Sequence, residues 1–152
     1  MSVVIGPLDD LAAMRRLGVA CGLEDAGRDD GGILAAWGAF DGDELVGAVA
    51  LERFAGMDTA NWLAVRDDHR RRGIAAALYD VLEGEAWARG IRRLSVTARA
   101  SAFWLAEGFK PLPPGPERAT LLGGCLDCDQ YGRGCAPQAL TKPLERTGPS
   151  GP

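Results

Sequence analysis

The period of the hydrophobic pattern changes along this chain, and the changes mark its elements. Leu34 to Phe40 is nearly all apolar and predicts a strand. Asp41-Gly42-Asp43 follows as a hairpin turn signal, and Glu44 to Phe54 is the returning strand. In that second run Leu45, Gly47, Val49 and Leu51 fall on one face, and Val46, Ala48 and Ala50 on the other. Two apolar faces predict an interior strand. Ala55-Gly56-Met57-Asp58 turns the chain again, into a strand from Thr59 to Val65.

The spacing then becomes helical. Ile74, Ala77, Leu78, Val81, Leu82 and Glu85 recur at three and four residues, and all but the last are apolar, which predicts a helix from Gly73 to Arg89 closed by Gly90. Tyr79 lies opposite that stripe and is expected at the surface. Ile91 to Thr97 reads as a strand, Ala100 to Glu107 as a short helix ended by Gly108, and Phe109 to Leu112 as a further strand. Before the first hairpin, Leu8 to Cys21 reads as a helix capped by Asp9 or Asp10, and Glu24 to Gly32 as a loop. Pro111, Pro113, Pro114 and Pro116 break regular structure at the start of a long loop, 111–137. Gln138 to Leu144 is the last strand.

The expected order is therefore α, β, β, β, α, β, α, β, loop, β. The run 59–65, 73–89 and 91–97 is a βαβ unit, so its two strands are expected to be parallel with a right-handed connection. The hairpins before it make the sheet mixed. The fold class is α/β (α+β): a mixed, mostly antiparallel sheet with a central parallel pair and flanking helices. One domain is expected over residues 1–144, with 145–152 as a disordered tail.

Composition narrows the function classes. A hydrophobic share of 47% in 152 residues supports a packed core and excludes a disordered or fibrous chain. A net charge of −4 argues against a nucleic-acid binder. There is no apolar run long enough for a membrane span, and the first residues lack a secretory signal's pattern, so a cytoplasmic protein without a membrane partner is expected.

Against that acidic background, His69-Arg70-Arg71-Arg72-Gly73-Ile74-Ala75 stands out. A strand, a basic glycine-containing turn and a helix N-terminus together make an anion site. Free backbone N–H groups and the positive end of the helix dipole converge there, and arginines add full charge. A diphosphate-bearing cofactor suits it. Arg70-x-x-Gly73-x-Ala75 resembles the (Gln/Arg)-x-x-Gly-x-(Gly/Ala) motif of the GNAT N-acetyltransferases, whose turn holds the pyrophosphate of acetyl-coenzyme A. The expected element order is similar to that family's fold, in which the two parallel strands splay and the pantetheine arm lies between them.

A second landmark supports the resemblance. Thr97-x-x-Ala100-x-x-x-Trp104-x-x-x-Gly108-Phe109 is similar to the family's Asn-x-x-Ala-x-x-x-Tyr-x-x-x-Gly-Phe segment, with Thr97 in place of Asn and Trp104 in place of Tyr. That Tyr often protonates the leaving thiolate. An indole N–H donates a hydrogen bond but is no acid near neutral pH, so Trp104 is expected to pack on or steer the cofactor. Phe103 reads as a core aromatic. The same segment, and the closing Gln138 to Leu144, are similar to the amino-acid acetyltransferase branch, which includes N-acetylglutamate synthases and acetyltransferases of arsenic-resistance operons.

The resemblance implies acetyl transfer from acetyl-coenzyme A to the amine of a small molecule, such as an amino acid or analogue. It places the cofactor against Leu63, Ala64, Val65, Arg70, Arg71, Arg72, Gly73, Ile74, Ala75 and Trp104, with a backbone N–H from Leu63 to Val65 polarising the thioester carbonyl. Glu52, near the end of its strand, is the candidate base, weighed against a solvated strand-end charge. Asn61 can orient a water or substrate but cannot be a base. His69 has a suitable titration range, but its place beside Arg70 favours a structural role.

Cys125, Cys128 and Cys135 lie in the long loop, and Cys21 is apart. Cys-x-x-Cys is half of a zinc site, and the three cysteines leave one ligand missing. A disulfide, or three reduced thiols beside the substrate, are the alternatives. Two other function classes stay open: an acyl-coenzyme A sensor without turnover, and a zinc-binding interaction module. A homodimer is compatible with each.

Overall fold

The computed structural model describes residues 2–23, 30–123 and 137–145. Among these residues seven strands form one sheet in the order β1-β2-β3-β4-β5-β7-β6. They are β1 (Val3–Pro7), β2 (Ile33–Asp41), β3 (Glu44–Phe54), β4 (Met57–Val65), β5 (Arg93–Ala98), β6 (Lys110–Pro111) and β7 (Gln138–Pro143). Among the described residues four α-helices accompany them: α1 (Leu11–Ala20), α2 (Ile74–Ala88), α3 (Ala102–Ala106) and α4 (Pro116–Leu122).

All strand pairs are antiparallel except β4 with β5. The mixed sheet and its single parallel pair follow the expected βαβ unit. That parallel ladder holds one residue pair, Thr59 with Ser95, whereas β5 pairs with β7 from Arg93 to Ala98. Beyond Thr59, β4 therefore runs on with an open edge on its β5 side.

The sheet separates two cores. On one face α1 packs through Met14 and Leu17 against Ala36, Ala48, Ala50 and Trp62. On the other, Ile74, Leu78, Tyr79 and Leu82 of α2 meet Val46, Val49, Leu51, Leu94 and Val96, with Trp104 and Phe109 at the far side. Asp10 caps α1, its carboxylate accepting from Ala13 N at 3.0 Å.

Four readings need correction. Tyr79 is not at the surface; it is fully buried. At about 100° per residue, the buried face of α2 is rotated roughly 60° from the expected stripe. Ala86 joins Tyr79 inside, and Val81 is 39% exposed. The reason is that α2 packs against the aromatic wall of α3 as well as against the sheet. In β3, strict alternation fails: Ala39 pairs with Gly47 but Phe40 with Leu45, so Val46 is an extra residue. The bulge sends Leu45 to the α1 core and Val46 to the α2 core. Strand β1 was absent from the expected order. Finally, Pro116 does not break structure but opens α4 as its first residue, where no backbone N–H is needed.

Candidate functional site at the open edge of β4

The site begins where β4 leaves its partner. Between β3 and β4, Ala50 pairs with Asn61 but Ala48 with Ala64. Two residues of β4, Trp62 and Leu63, thus oppose Val49 alone. This is a β-bulge, and Trp62 sits in it at φ +57°, a costly conformation for an aromatic residue. Three contacts hold it there. Asn61 Oδ1 accepts from Trp62 N at 2.9 Å, the indole is buried under α1, and the Arg15 guanidinium lies 5.0 Å from its ring centre.

Asn61 is itself oriented. Its Nδ2 donates to Glu52 Oε1 at 2.7 Å. Glu52 is only 3% exposed, so it is not a solvated strand-end charge. Thr59 Oγ1 donates to the Glu52 carbonyl at 2.8 Å and fixes the backbone there.

The chain then enters the arginine turn. A 3-10 turn, Asp67–His69, leads to Arg71 at φ +64° and Gly73 at φ +76°. The first helical hydrogen bond of α2 runs from Ala77 N to Gly73 O, so the N–H groups of Ile74, Ala75 and Ala76 lack helical acceptors. Gly73 caps the helix without a side chain, and a Cβ built there meets nothing within 4 Å. The helix N-terminus therefore opens to the outside.

The arginines divide their work. Arg70 turns back, its Nε donating to Val65 O at 3.0 Å and its guanidinium pairing with Asp67 at 2.9 Å. Arg72 donates to Asp68 O at 3.1 Å. Arg66 joins Glu44 and Asp68. Arg71 is exposed and has no hydrogen-bond or ion-pair partner among the described residues. The whole turn rests on buried His69, whose Nδ1 lies 2.7 Å from Asp68 and Nε2 2.9 Å from Asp41. Both carboxylates raise the His69 pKa, Asp41 most. Arg66, then His69, hold the Asp68 carboxyl down at about 2. His69 is thus structural, as its position suggested.

Trp104 lies in a buried aromatic group, with ring centres 5.7 Å from Tyr79, 5.2 Å from Phe103 and 5.2 Å from Phe109, all edge-on. Burial, and then the bond its hydroxyl donates to Glu83 at 2.6 Å, raise the Tyr79 pKa. Lys142 also reaches Glu83, at 2.6 Å.

These parts suit coenzyme A chemically. A diphosphate needs cations and converging N–H donors, and Arg71 and the start of α2 offer both. A pantetheine arm carries amides, and the open edge of β4 past Thr59 is a strand edge of the kind extended amide chains pair with. Leu63, within the bulge, and Ala64 and Val65 after it lie on that edge.

The bulge, Asn61's place in it and the Asp41–His69 tie were not foreseen. A glycine often marks a bulge, and none stands at 60–64. Asp41 could have been found only as a carboxylate at the hairpin tip, with no distance to link it to His69. Cys125, Cys128 and Cys135 lie outside the described residues. Among the described residues no group of three or more His, Cys, Asp and Glu could hold a metal. No helix among the described residues is long and apolar enough to cross a membrane.

Comparison with solved structures gives the same fold at low identity. A GNAT-family acetyltransferase from Staphylococcus aureus Mu50 superposes with a TM-score of 0.73 at 14% identity, covering 95% of this chain and 100% of that one. The ribosomal-protein-S18-alanine N-acetyltransferase of Escherichia coli gives 0.68 at 17% identity, covering 97% of each chain. The N-acetylglutamate synthase of Neisseria gonorrhoeae, complexed with coenzyme A and N-acetyl-glutamate, gives 0.65 at 21% identity over 96% of this chain and 36% of that one. No curated protein matches. The family model for the acetyltransferase (GNAT) domain matches residues 33–111, from β2 through the bulge and the arginine turn to β6, and the chain belongs to that family.

Proposed function

We propose that this protein transfers an acetyl group from acetyl-coenzyme A to the amine of a small molecule, an amino acid or a close analogue. The observation that carries the reading is the open edge of β4 leading straight into the arginine turn and the start of α2, where no side chain takes up the backbone N–H groups. In it, Arg71 and the N–H groups of Gly73, Ile74 and Ala75 bind the diphosphate, while Arg70 and Arg72 brace the turn. Leu63, Ala64 and Val65 pair with the pantetheine arm. A backbone N–H of that stretch donates to the thioester carbonyl, where charge grows as the C–N bond forms and the C–S bond breaks. Holding amine and thioester together supplies much of the rate, since orientation alone is worth about 7–11 kcal/mol. Trp104 supports the site through packing, and the thiolate takes its proton from water or from the acceptor.

The amino-acid class is favoured by the synthase complex with N-acetyl-glutamate, a product of that kind, on the same fold. The test is calorimetry with coenzyme A, followed by thiol release from acetyl-coenzyme A with a panel of amino acids and simple amines. Binding plus amine-dependent thiol release supports the reading. Binding without turnover for any amine turns it into the sensor, which the replacement of a phenol by Trp104 favours. No binding rejects both.

A further inference from the structure

We infer that Glu52 and Asn61 are positioning residues that set the β4 bulge, with Glu52 acting through Asn61 and not as the proton acceptor. The inference rests on the acetyl-transfer reading, because the bulge borders the N–H groups that reading aims at the thioester.

The orientation of the Asn61 amide is fixed by its two partners. Trp62 N can only donate, so the Asn61 oxygen must face it, at 2.9 Å. The Asn61 NH2 group then points the other way and needs an acceptor. Glu52 Oε1 is that acceptor, at 2.7 Å, and its carboxylate is buried beneath the α1 side of the sheet. A flipped amide would set an NH2 against the Trp62 N–H and an oxygen against the carboxylate. The chain Glu52, Asn61, Trp62 therefore admits one arrangement, and it is the one that holds Trp62 at φ +57°.

Neighbouring groups hold Glu52 in turn. Thr59 Oγ1 ties its carbonyl at 2.8 Å. A carboxylate with an oxygen engaged, and only 3% exposed, suits an anchor better than a base that must meet an incoming amine or its water. If the bulge relaxes, β4 loses its extra residue and the N–H groups of Leu63 to Val65 re-aim.

The experiment compares the parent with Asn61→Ala, Glu52→Ala and Glu52→Gln by three readings. Hydrogen exchange reports the Trp62 amide. The carbonyl 13C resonance of bound acetyl-coenzyme A, labelled at that carbon, reports its polarisation. Steady-state kinetics report kcat, KM and the pH profile. Asn61→Ala is expected to unprotect the Trp62 amide and to move the carbonyl resonance toward its free value. With it, kcat is expected to fall about ten- to a hundredfold, and coenzyme A affinity to fall less than kcat does, because the contacts at the arginine turn stay in place. Glu52→Ala follows it. Glu52→Gln keeps an acceptor oxygen for Asn61 and is expected to rescue the resonance and much of kcat, with the shape of the pH profile kept. Thermal melts identify any variant that fails to fold, and Glu52→Gln remains decisive in that case. An unmoved resonance and amide in Asn61→Ala overturn the inference. So does a Glu52→Gln variant as slow as Glu52→Ala with the acidic limb of its profile gone, since that marks Glu52 as the base. A parent that binds no acetyl-coenzyme A overturns the acetyl-transfer reading itself, and the inference with it. A parent that binds, with unaltered variants, overturns the inference alone.

Discussion

His69 and Asp41 stand 28 residues apart in sequence and 2.9 Å apart in space, and their contact fastens the arginine turn to the tip of the β2–β3 hairpin. With Asp68 on the other ring nitrogen at 2.7 Å, both nitrogens face carboxylates. Only the protonated imidazole can donate to both.

A pH dependence follows. The folded pKa of His69 is raised above its ordinary value of 6.5. Its contribution to stability is therefore complete below that value and is lost as pH rises through the raised one. Asp68 works in the opposite direction: its pairing is intact above 3.8 and is lost as pH falls toward about 2. Thermal melts between these limits are expected to show a plateau, with a decline on the alkaline side. Asp41→Asn should flatten that decline; an identical alkaline slope in parent and variant would show that His69 does not couple to folding.

Arg71 carries the turn's uncommitted charge among the described residues. Arg71→Ala is expected to weaken coenzyme A binding about tenfold to a hundredfold, the worth of a charge-assisted contact, without lowering the melting temperature. Gly73→Glu should abolish binding, because it places a carboxylate at the anion site on a backbone at φ +76°. Calorimetry reads the affinities and circular dichroism the fold. Unchanged affinity in both variants would remove the diphosphate from this turn.

Trp104 is 8% exposed and touches three aromatic rings. Trp104→Ala is expected to cost about 3–5 kcal/mol in denaturant unfolding, by transfer and cavity together. Trp104→Phe keeps most of the packing and is expected to retain turnover with an unaltered pH profile. An ionisation missing from that profile would contradict the packing role.

Gly18 is where α1 lies on the bulge. A Cβ there would sit 2.6 Å from Trp62 Cε3, against a ring that cannot bend away. Gly18→Ala gains about 1 kcal/mol of helix propensity at most, near a helix end, while overpacking costs about 1–3 kcal/mol. The net effect is expected to be destabilising, a fall in melting temperature of roughly 2–4 °C per kcal/mol. A more stable variant would mean that α1 can ride up without cost.

Much of the fold was legible because its signals are local. The Asp41-Gly42-Asp43 turn, the glycines at 90 and 108 and the apolar runs of β2 to β5 each act within a few residues. The arginine turn was legible for the same reason: charge, glycine and helix start are contiguous. What stayed hidden depends on partners far away. Tyr79 turns inward because Phe103, Trp104 and Phe109 meet it from another element. Strand β1 is five residues long and, among the described residues, pairs only with β2, so its pattern is too short to separate from a loop. The bulge owes its shape to Asn61 and Glu52 on adjacent strands, and no residue within it signals a change of direction.

The single Thr59–Ser95 pair has a mechanical meaning. The sheet is two leaves, β1 to β4 and β5, β7 and β6, stitched together at one point and backed by α2. A molecule lying along the free edge of β4 would act as a cross-brace between the leaves. Such a brace should slow amide exchange in β5 and β7 as well as in β4, and raise the melting temperature by mass action as its concentration passes its dissociation constant.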